Sequence, residues 1–203
     1  PFLKKHELLL IIRKKNKKLS YIIKDLKKVF IIETDLNNIS DHKKMIKDFK
    51  PQICIHLFYQ GIPDYSSKNS LKNYYISKKF FQIIKKTECK KIICSGSCWE
   101  YLDIPGMKTN RSKISNNNPF INYKHKLHYY LKENFTNKKI YWCRIFYCYG
   151  YSNNQKSLIN LIIKAFNTNN KLEIYNDKTK CDFIYVKNVA YIISKMIYLN
   201  HSS

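Results

Sequence analysis

Glycine is scarce in this chain: four in 203 residues, at Gly61, Gly96, Gly106 and Gly150, with none ahead of position 61. A glycine-rich turn that lets backbone amides close around a phosphate is therefore excluded from everything before Gly61. Arginine is scarcer still, at Arg13, Arg111 and Arg144, alanine occurs only at Ala165 and Ala190, and 14 acidic residues face 38 basic ones for a net charge of +24. A charge of that size raises nucleic acid or an anionic membrane as a partner. Binding footprints use the guanidinium fork as well as lysine, and here nearly all the positive charge is lysine, in a chain equally rich in Asn, Ile and Tyr. The charge reads as a compositional bias spread over solvated faces, so no nucleic acid partner is expected. The seven cysteines are odd in number, form no C-x-x-C pair and lie mostly inside apolar, strand-like stretches. That pattern argues against a disulfide framework and a metal site; buried reduced thiols and a cytoplasmic location are expected. Apolar runs as short as Leu8 to Ile12 cannot span a bilayer, and no secretory leader pattern is visible, although residue one is Pro1 rather than methionine.

What is present suffices for a folded domain: 44% of residues are hydrophobic and 15% aromatic, too rich for a disordered chain. Compact apolar blocks predict strands at Glu7 to Ile12, Val29 to Ile32, Ile53 to Phe58, Lys91 to Ser95 and Ile140 to Phe146. Between them, apolar residues recurring at three and four predict helices at Leu19 to Lys28, Ser40 to Phe49, Leu71 to Lys86 and Tyr123 to Asn134. Strands alternating with helices of that length imply parallel pairing through right-handed crossovers: an α/β fold with ligands at the carboxyl ends of the strands. After Gly150 the character shifts. A helix near Ser157 to Phe166, short strands at Leu172 to Tyr175 and Phe183 to Val186, and a helix at Asn188 to Leu199 suggest a main part over residues 1–150 and the start of a smaller second lobe over 151–203.

Six segments follow one another at suitable spacing: Thr34-Asp35-Leu36, Pro51 to Leu57, Asn73 with Ser77, Ile93 to Tyr101, Arg144 to Gly150, and Asp182 to Val186 with Val189-Ala190. In that order they resemble the extended short-chain dehydrogenases, the NAD-dependent epimerase/dehydratase family that acts on nucleotide sugars. The resemblance covers nearly the whole chain and implies a Rossmann-like, doubly wound parallel sheet. It aligns Glu7 to Ile12 with the second strand of that fold, so the first strand and its glycine-rich turn are expected upstream of Pro1. The sheet is then expected to lack its central strand.

The resemblance also implies roles. Ser97 matches the residue that bonds the reacting oxygen of the sugar, and Tyr101 a tyrosine of the same pocket. Family members place Tyr and Lys four apart on one helix face, the ammonium lowering the phenol's pKa. Lys126 is expected as that lysine, also on the cofactor ribose. Asn122 stands four before it, so Tyr123, three before it, is expected as the acid/base. Asp35 and Leu36 match the adenine contacts, Leu57 and Phe58 the strand end beneath the cofactor, and Asn73 a helix residue bracing that strand end. Ile12 stands where a carboxylate would select NAD, followed by Arg13 and Lys14, which makes Arg13 a cofactor contact and favours NADP over NAD. On the substrate side Tyr147 and Cys181 replace a common Asn and a common diphosphate-clamping Arg.

Three readings follow. The first is an NAD(P)-dependent nucleotide-sugar epimerase, dehydratase or reductase, a homodimer when full length, with hydride transfer at a sugar carbon assisted by Tyr123, Lys126 and Ser97. The second keeps the dinucleotide and discards the chemistry. The third, a basic nucleic-acid binder, has the ordered strand-end motifs against it.

Overall fold

The computed structural model of the chain describes residues 6–14, 20, 23, 28–101, 106, 118–150, 157–173 and 180–199. Two parallel strands open it, β1 (Leu8–Ile12) and β2 (Val29–Glu33), paired from Leu8 against Val29 to Ile12 against Glu33. A 3-10 segment (Leu36–His42) and the short helix α1 (Lys43–Asp48) follow. Next come β3 (Ile53–His56), α2 (Ser67–Lys85), β4 (Lys91–Ser97), α3 (Pro119–Asn134) and β5 (Lys139–Ile145). Strands β3, β4 and β5 form a parallel three-stranded sheet in that order. The last elements are β6 (Tyr147–Tyr149), α4 (Leu158–Thr168), β7 (Phe183–Tyr185) and α5 (Val186–Met196), with β6 and β7 parallel.

The helices that position the site begin earlier than their apolar period predicts. α2 starts at Ser67, where the hydroxyl of Ser66 accepts the Asn69 N–H at 3.3 Å. α3 starts at Pro119 because Asn118 caps it, its side chain accepting the Ile121 N–H at 3.0 Å, and proline fits a first turn whose N–H needs no intrahelical partner. The predicted helix over Ser40 to Phe49 is divided between the 3-10 segment and α1. The predicted helix at Leu19 to Lys28 lies mostly outside the described residues, as does half of the predicted strand at Leu172 to Tyr175, whose first two residues form no strand.

One face of the sheet buries Phe80, Phe81, Ile84, Leu127, Leu131 and Phe135 from α2 and α3 against Cys54, Ile92 and Cys94. The other face is covered by α5, whose Ile193 packs with Ile93 and Tyr141. Lys91 anchors the end of that helix, its ammonium donating to the carbonyls of Met196 at 3.2 Å and Leu199 at 2.6 Å, where a cation complements the helix dipole.

Strands β1 and β3 do not pair. Between them runs a slot of about 450 Å³, walled by Leu8 to Ile12 on one side and Ile53 to Leu57 on the other, with Leu36, Ile46, Phe80 and Ile84 against it. The parallel sheet is thus in two halves with an apolar gap at the position where the sequence places a missing strand.

Candidate active site at the carboxyl ends of the strands

On the β1–β2 side, Arg13 follows directly on the last residue of β1 and is exposed. Asp35, after β2, caps the 3-10 segment: its Oδ1 accepts the Asn37 N–H at 2.8 Å and the Asn37 side-chain amide at 2.6 Å. Leu36, beside it, lines the slot. β3 ends at His56, so Leu57 and Phe58 sit in the loop beyond the strand, Leu57 exposed and Phe58 edge-on to the His56 ring. Buried Asn73 holds that loop from α2, its Oδ1 accepting the Gln60 N–H at 2.8 Å while its amide donates to the Gln60 carbonyl at 3.0 Å.

His56 itself faces the core between Phe80 and Phe81, its Nδ1 3.5 Å from the Cys94 thiol and its Nε2 without a partner. Burial, with the Lys124 ammonium nearby, pulls its pKa down to about 3. Above the usual value near 6.5 the ring is neutral in both folded and unfolded chains and contributes no pH dependence. Below it the unfolded chain takes up a proton that the folded one refuses, so stability falls with pH until about 3. Urea denaturation should show about 2 kcal/mol lost to this group between pH 7 and pH 5, a loss that His56→Phe removes. An identical pH slope in that variant would refute the assignment.

At the end of β4, Ser97 caps a 3-10 turn (Cys98–Glu100), its hydroxyl accepting the Trp99 N–H at 3.2 Å. Glu100 returns the contact, accepting the Ser97 N–H at 2.7 Å. The Arg144 guanidinium lies 5.1 Å from the centre of the Tyr101 ring, and Phe146 packs on the other ring contact of Tyr101 at 6.2 Å. The Tyr147 hydroxyl accepts the Trp99 indole N–H at 3.1 Å. Burial raises the Tyr147 phenol's pKa, with the Cys98 and Cys181 thiols close by. Ser97, Tyr101, Tyr147 and Cys181, drawn from three separate stretches, therefore gather at one end of the sheet.

On helix α3 the lysines two positions apart differ in their surroundings. Lys126 is exposed and points into a groove between α2 and α3 with Tyr74, Lys78, Lys85 and Tyr130. The Tyr123 ring lies 4.8 Å from the Lys126 ammonium and 5.9 Å from Tyr74, and it lines a small cavity with Phe58, Asn73, Phe120 and Lys124. The pair meets, with Lys126 itself outside that cavity. The buried lysine is Lys124, 8% exposed, whose ammonium donates to the Ser95 carbonyl at 2.7 Å, two residues before Ser97. Desolvation lowers its pKa, partly countered by Cys94 and Glu100. One turn earlier on the same face stands Phe120, also 8% exposed, in contact with Tyr59 and Tyr65 at 5.1 Å and Trp99 at 6.0 Å. The missed signal was spacing: Phe120-x-x-x-Lys124 has the four-residue interval that Tyr123 and Lys126 lack, and it emerges once Asn118-Pro119 is read as the helix start.

The four-apart pair Phe120 and Lys124 thus presents a phenyl ring and an amine. Groups able to hold a dinucleotide are Leu36 for an apolar base, Leu57 and Phe58 beneath its middle, and Lys124 and Asn73 towards the β3–β4 end. Three of the four glycines leave no room for a phosphate, while Gly106, exposed and at positive φ, has open space around it. A Cβ on Gly61 would meet Asn69 at 2.8 Å, on Gly96 Glu100 at 2.4 Å, and on Gly150 Val186 at 2.5 Å, so the space each leaves is filled by the protein itself.

A model of the NAD dependent epimerase/dehydratase family matches residues 2–202. No curated protein matches. Among solved structures, a point mutant of UDP-glucuronic acid 4-epimerase from Bacillus cereus, in complex with UDP-4-deoxy-4-fluoro-glucuronic acid and NAD, superposes with a TM-score of 0.81 at 17% identity over 98% of this chain and 68% of that one. UDP-N-acetylglucosamine 4-epimerase from Methanobrevibacter ruminantium, in complex with UDP-N-acetylmuramic acid, gives 0.76 at 21% identity over 97% of this chain and 74% of that one. The Bordetella bronchiseptica enzyme WbmG, in complex with NAD and UDP, gives 0.76 at 14% identity over 98% of this chain and 63% of that one. At these identities the likeness is one of fold, and the chain spans about two thirds of the length of each.

Proposed function

The chain belongs to the NAD dependent epimerase/dehydratase family, a family of enzymes, and on that premise we propose that it binds a nicotinamide dinucleotide and a nucleotide sugar across the carboxyl ends of its strands. The observation that carries this reading is Lys124: an amine buried among aromatic rings, fixed on the Ser95 carbonyl beside Ser97. A buried ammonium is costly unless it has work or partners there. When bound, the dinucleotide supplies the hydride acceptor and donor for a sugar carbon. Leu36 and Asp35 hold its adenosine end, Leu57 and Phe58 lie under its middle, and Lys124 takes the ribose role expected of Lys126. Ser97 bonds the sugar oxygen, Tyr101 and Tyr147 flank the sugar nucleotide, and Cys181 stands at its phosphates. Exposed Arg13 and Lys14 follow Ile12, which holds the place of the NAD-selecting carboxylate, and they favour the 2′-phosphate of NADP. A homodimer, and a cytoplasmic location in keeping with seven free cysteines, complete the proposal.

Titration of NAD and NADP, with UDP-glucose as the sugar probe, tests it. Saturable dinucleotide binding that weakens at least tenfold in Lys124→Met and stays unchanged in Lys126→Met supports the reading. Absence of saturable binding, or equal losses in the two variants, refutes it.

Phe120 favours a second reading, binding without proton exchange. A phenyl ring can neither take up nor release a proton, so Phe120 cannot relay the hydroxyl proton of a sugar undergoing oxidation.

A further inference from the structure

Glu100 is fully buried, and it gathers nitrogen donors from three elements. Its Oε1 accepts the Ser97 backbone N–H at 2.7 Å. The Trp142 indole N–H lies 3.0 Å from Oε1 and 2.8 Å from Oε2, and the Arg144 Nε–H donates to Oε2 at 3.1 Å. His125, on α3, brings its Nε2 to 3.7 Å from Oε2, and burial lowers its pKa, which makes it a neutral neighbour at pH 7. Trp142 and Arg144 lie two apart on β5, hence on one face of the sheet, opposite Cys94 and Gly96. The His128 ring stacks on Trp142 at 4.6 Å and fixes it from behind. Gly96 leaves the room: a Cβ there would stand 2.4 Å from Glu100 Oε1 and 2.5 Å from the Trp142 nitrogen.

These contacts converge on two residues at the mouth of the site. The carboxylate holds the Ser97 backbone directly, and through Arg144 it sets the cation that lies over the Tyr101 ring. A carboxylate with no exposure is an expensive way to join strands, and apolar packing would serve stability as well. Its donors fix direction as well as distance, which a sugar-binding serine needs. We infer that Glu100 is a positioning residue that sets Ser97 and Tyr101 together as one unit for the sugar end of the ligand.

The test is Glu100→Gln. Trp142 donates within reach of both carboxylate oxygens, so an amide nitrogen at either position faces another N–H and the bracket opens. Hydrogen exchange in the full chain should quicken at least tenfold at the Ser97 amide and the Trp142 indole, with Ile92 and Ile93 of the same strand unchanged. Affinity for UDP-glucose should fall about tenfold while affinity for UDP stays within twofold, since only the sugar meets Ser97 and Tyr101. That second arm rests on the nucleotide-sugar reading; the exchange arm does not. If the unaltered chain binds no UDP-glucose, the functional reading fails and exchange alone decides the bracket. Exchange unchanged at Ser97, exchange raised uniformly along β4, or equal losses for UDP and UDP-glucose overturns the proposal. Should Glu100→Gln not fold, Arg144→Lys keeps the charge and loses the planar group over Tyr101. It should weaken UDP-glucose binding about threefold and leave UDP binding alone, and an unchanged ratio overturns the proposal equally.

Discussion

Phe120→Tyr should raise turnover of a nucleotide sugar by the amount a positioned proton carrier contributes, about a hundred- to ten-thousand-fold. Phe120 and Lys124 share one face of α3, and the ammonium lies 5.8 Å from the centre of the phenyl ring. A hydroxyl on that ring would sit near a cation, which favours the phenolate and brings its pKa from about 10 towards neutrality. The aromatic neighbours Tyr59, Tyr65 and Trp99 already surround the ring, so the added oxygen enters a bed shaped for a planar six-membered group. The comparison variants are Lys126→Met, which should leave turnover unchanged because that side chain is exposed in the α2 groove, and Tyr123→Phe, which reports on the phenol lining the cavity of Phe120 and Lys124. Turnover is read as release of the epimerised or oxidised sugar nucleotide with NAD or NADP supplied. No gain from Phe120→Tyr, together with a loss from Tyr123→Phe, would return the acid/base role to Tyr123.

Filling the slot between β1 and β3 should raise the melting temperature by roughly 10 °C, since the stability gain is a few kcal/mol and each converts to about 2–4 °C in a chain of this size. The slot walls are two unpaired parallel strand edges, with Leu9, Ile11 and Cys54 packed towards the core and Leu8, Leu10, Ile53 and Ile55 alternating with them. An occupant must therefore be apolar on both faces, as strands buried in parallel sheets are. Each well-buried aliphatic side chain contributes about 1.5–3 kcal/mol, against an ordering cost of about 1.5 kcal/mol per residue. The backbone bonds to both neighbours add about 1 kcal/mol apiece. The experiment joins an Ile/Val strand of about five residues ahead of β1 through a helical crossover of at least about a dozen residues, the minimum for a parallel return. A Lys/Glu strand of equal length is the control. Equal melting temperatures for the two would mean that the slot takes no strand.

The chemistry of the slot bears on cofactor binding. Its carboxyl end opens between Leu36 and Leu57, the residues proposed to flank the adenosine end and the middle of the dinucleotide. Gly61, Gly96 and Gly150 offer no phosphate cradle there, because each faces a side chain of the protein. A strand entering the slot would deliver its following turn to that point. The same insertion that raises the melting temperature is thus the one that could complete the dinucleotide site.

The α/β rhythm and the parallel sheet were legible in the sequence because burial on both faces writes unbroken apolar blocks such as Leu8 to Ile12, and burial on one face of a helix writes a period near 3.6, as in Ile76, Phe80, Ile83 and Ile84. The ordered strand-end segments carried the family resemblance, and it was that resemblance, with no glycine ahead of position 61, that implied the gap in the sheet. The choice among neighbouring lysines did not. Lys124 and Lys126 differ by two positions, about 200° around a helix, so which one is buried depends on how α3 is rotated against β4 and α2. A capping asparagine and a proline set the start of that helix, but only packing against the sheet set its rotation. Likewise Glu100 lies more than forty positions before Trp142 and Arg144, and nothing local marks it as their partner. Their meeting is decided by the β4–β5 register, a long-range pairing that hydrophobic periodicity cannot encode because it constrains which face a residue takes and not which residue it will face.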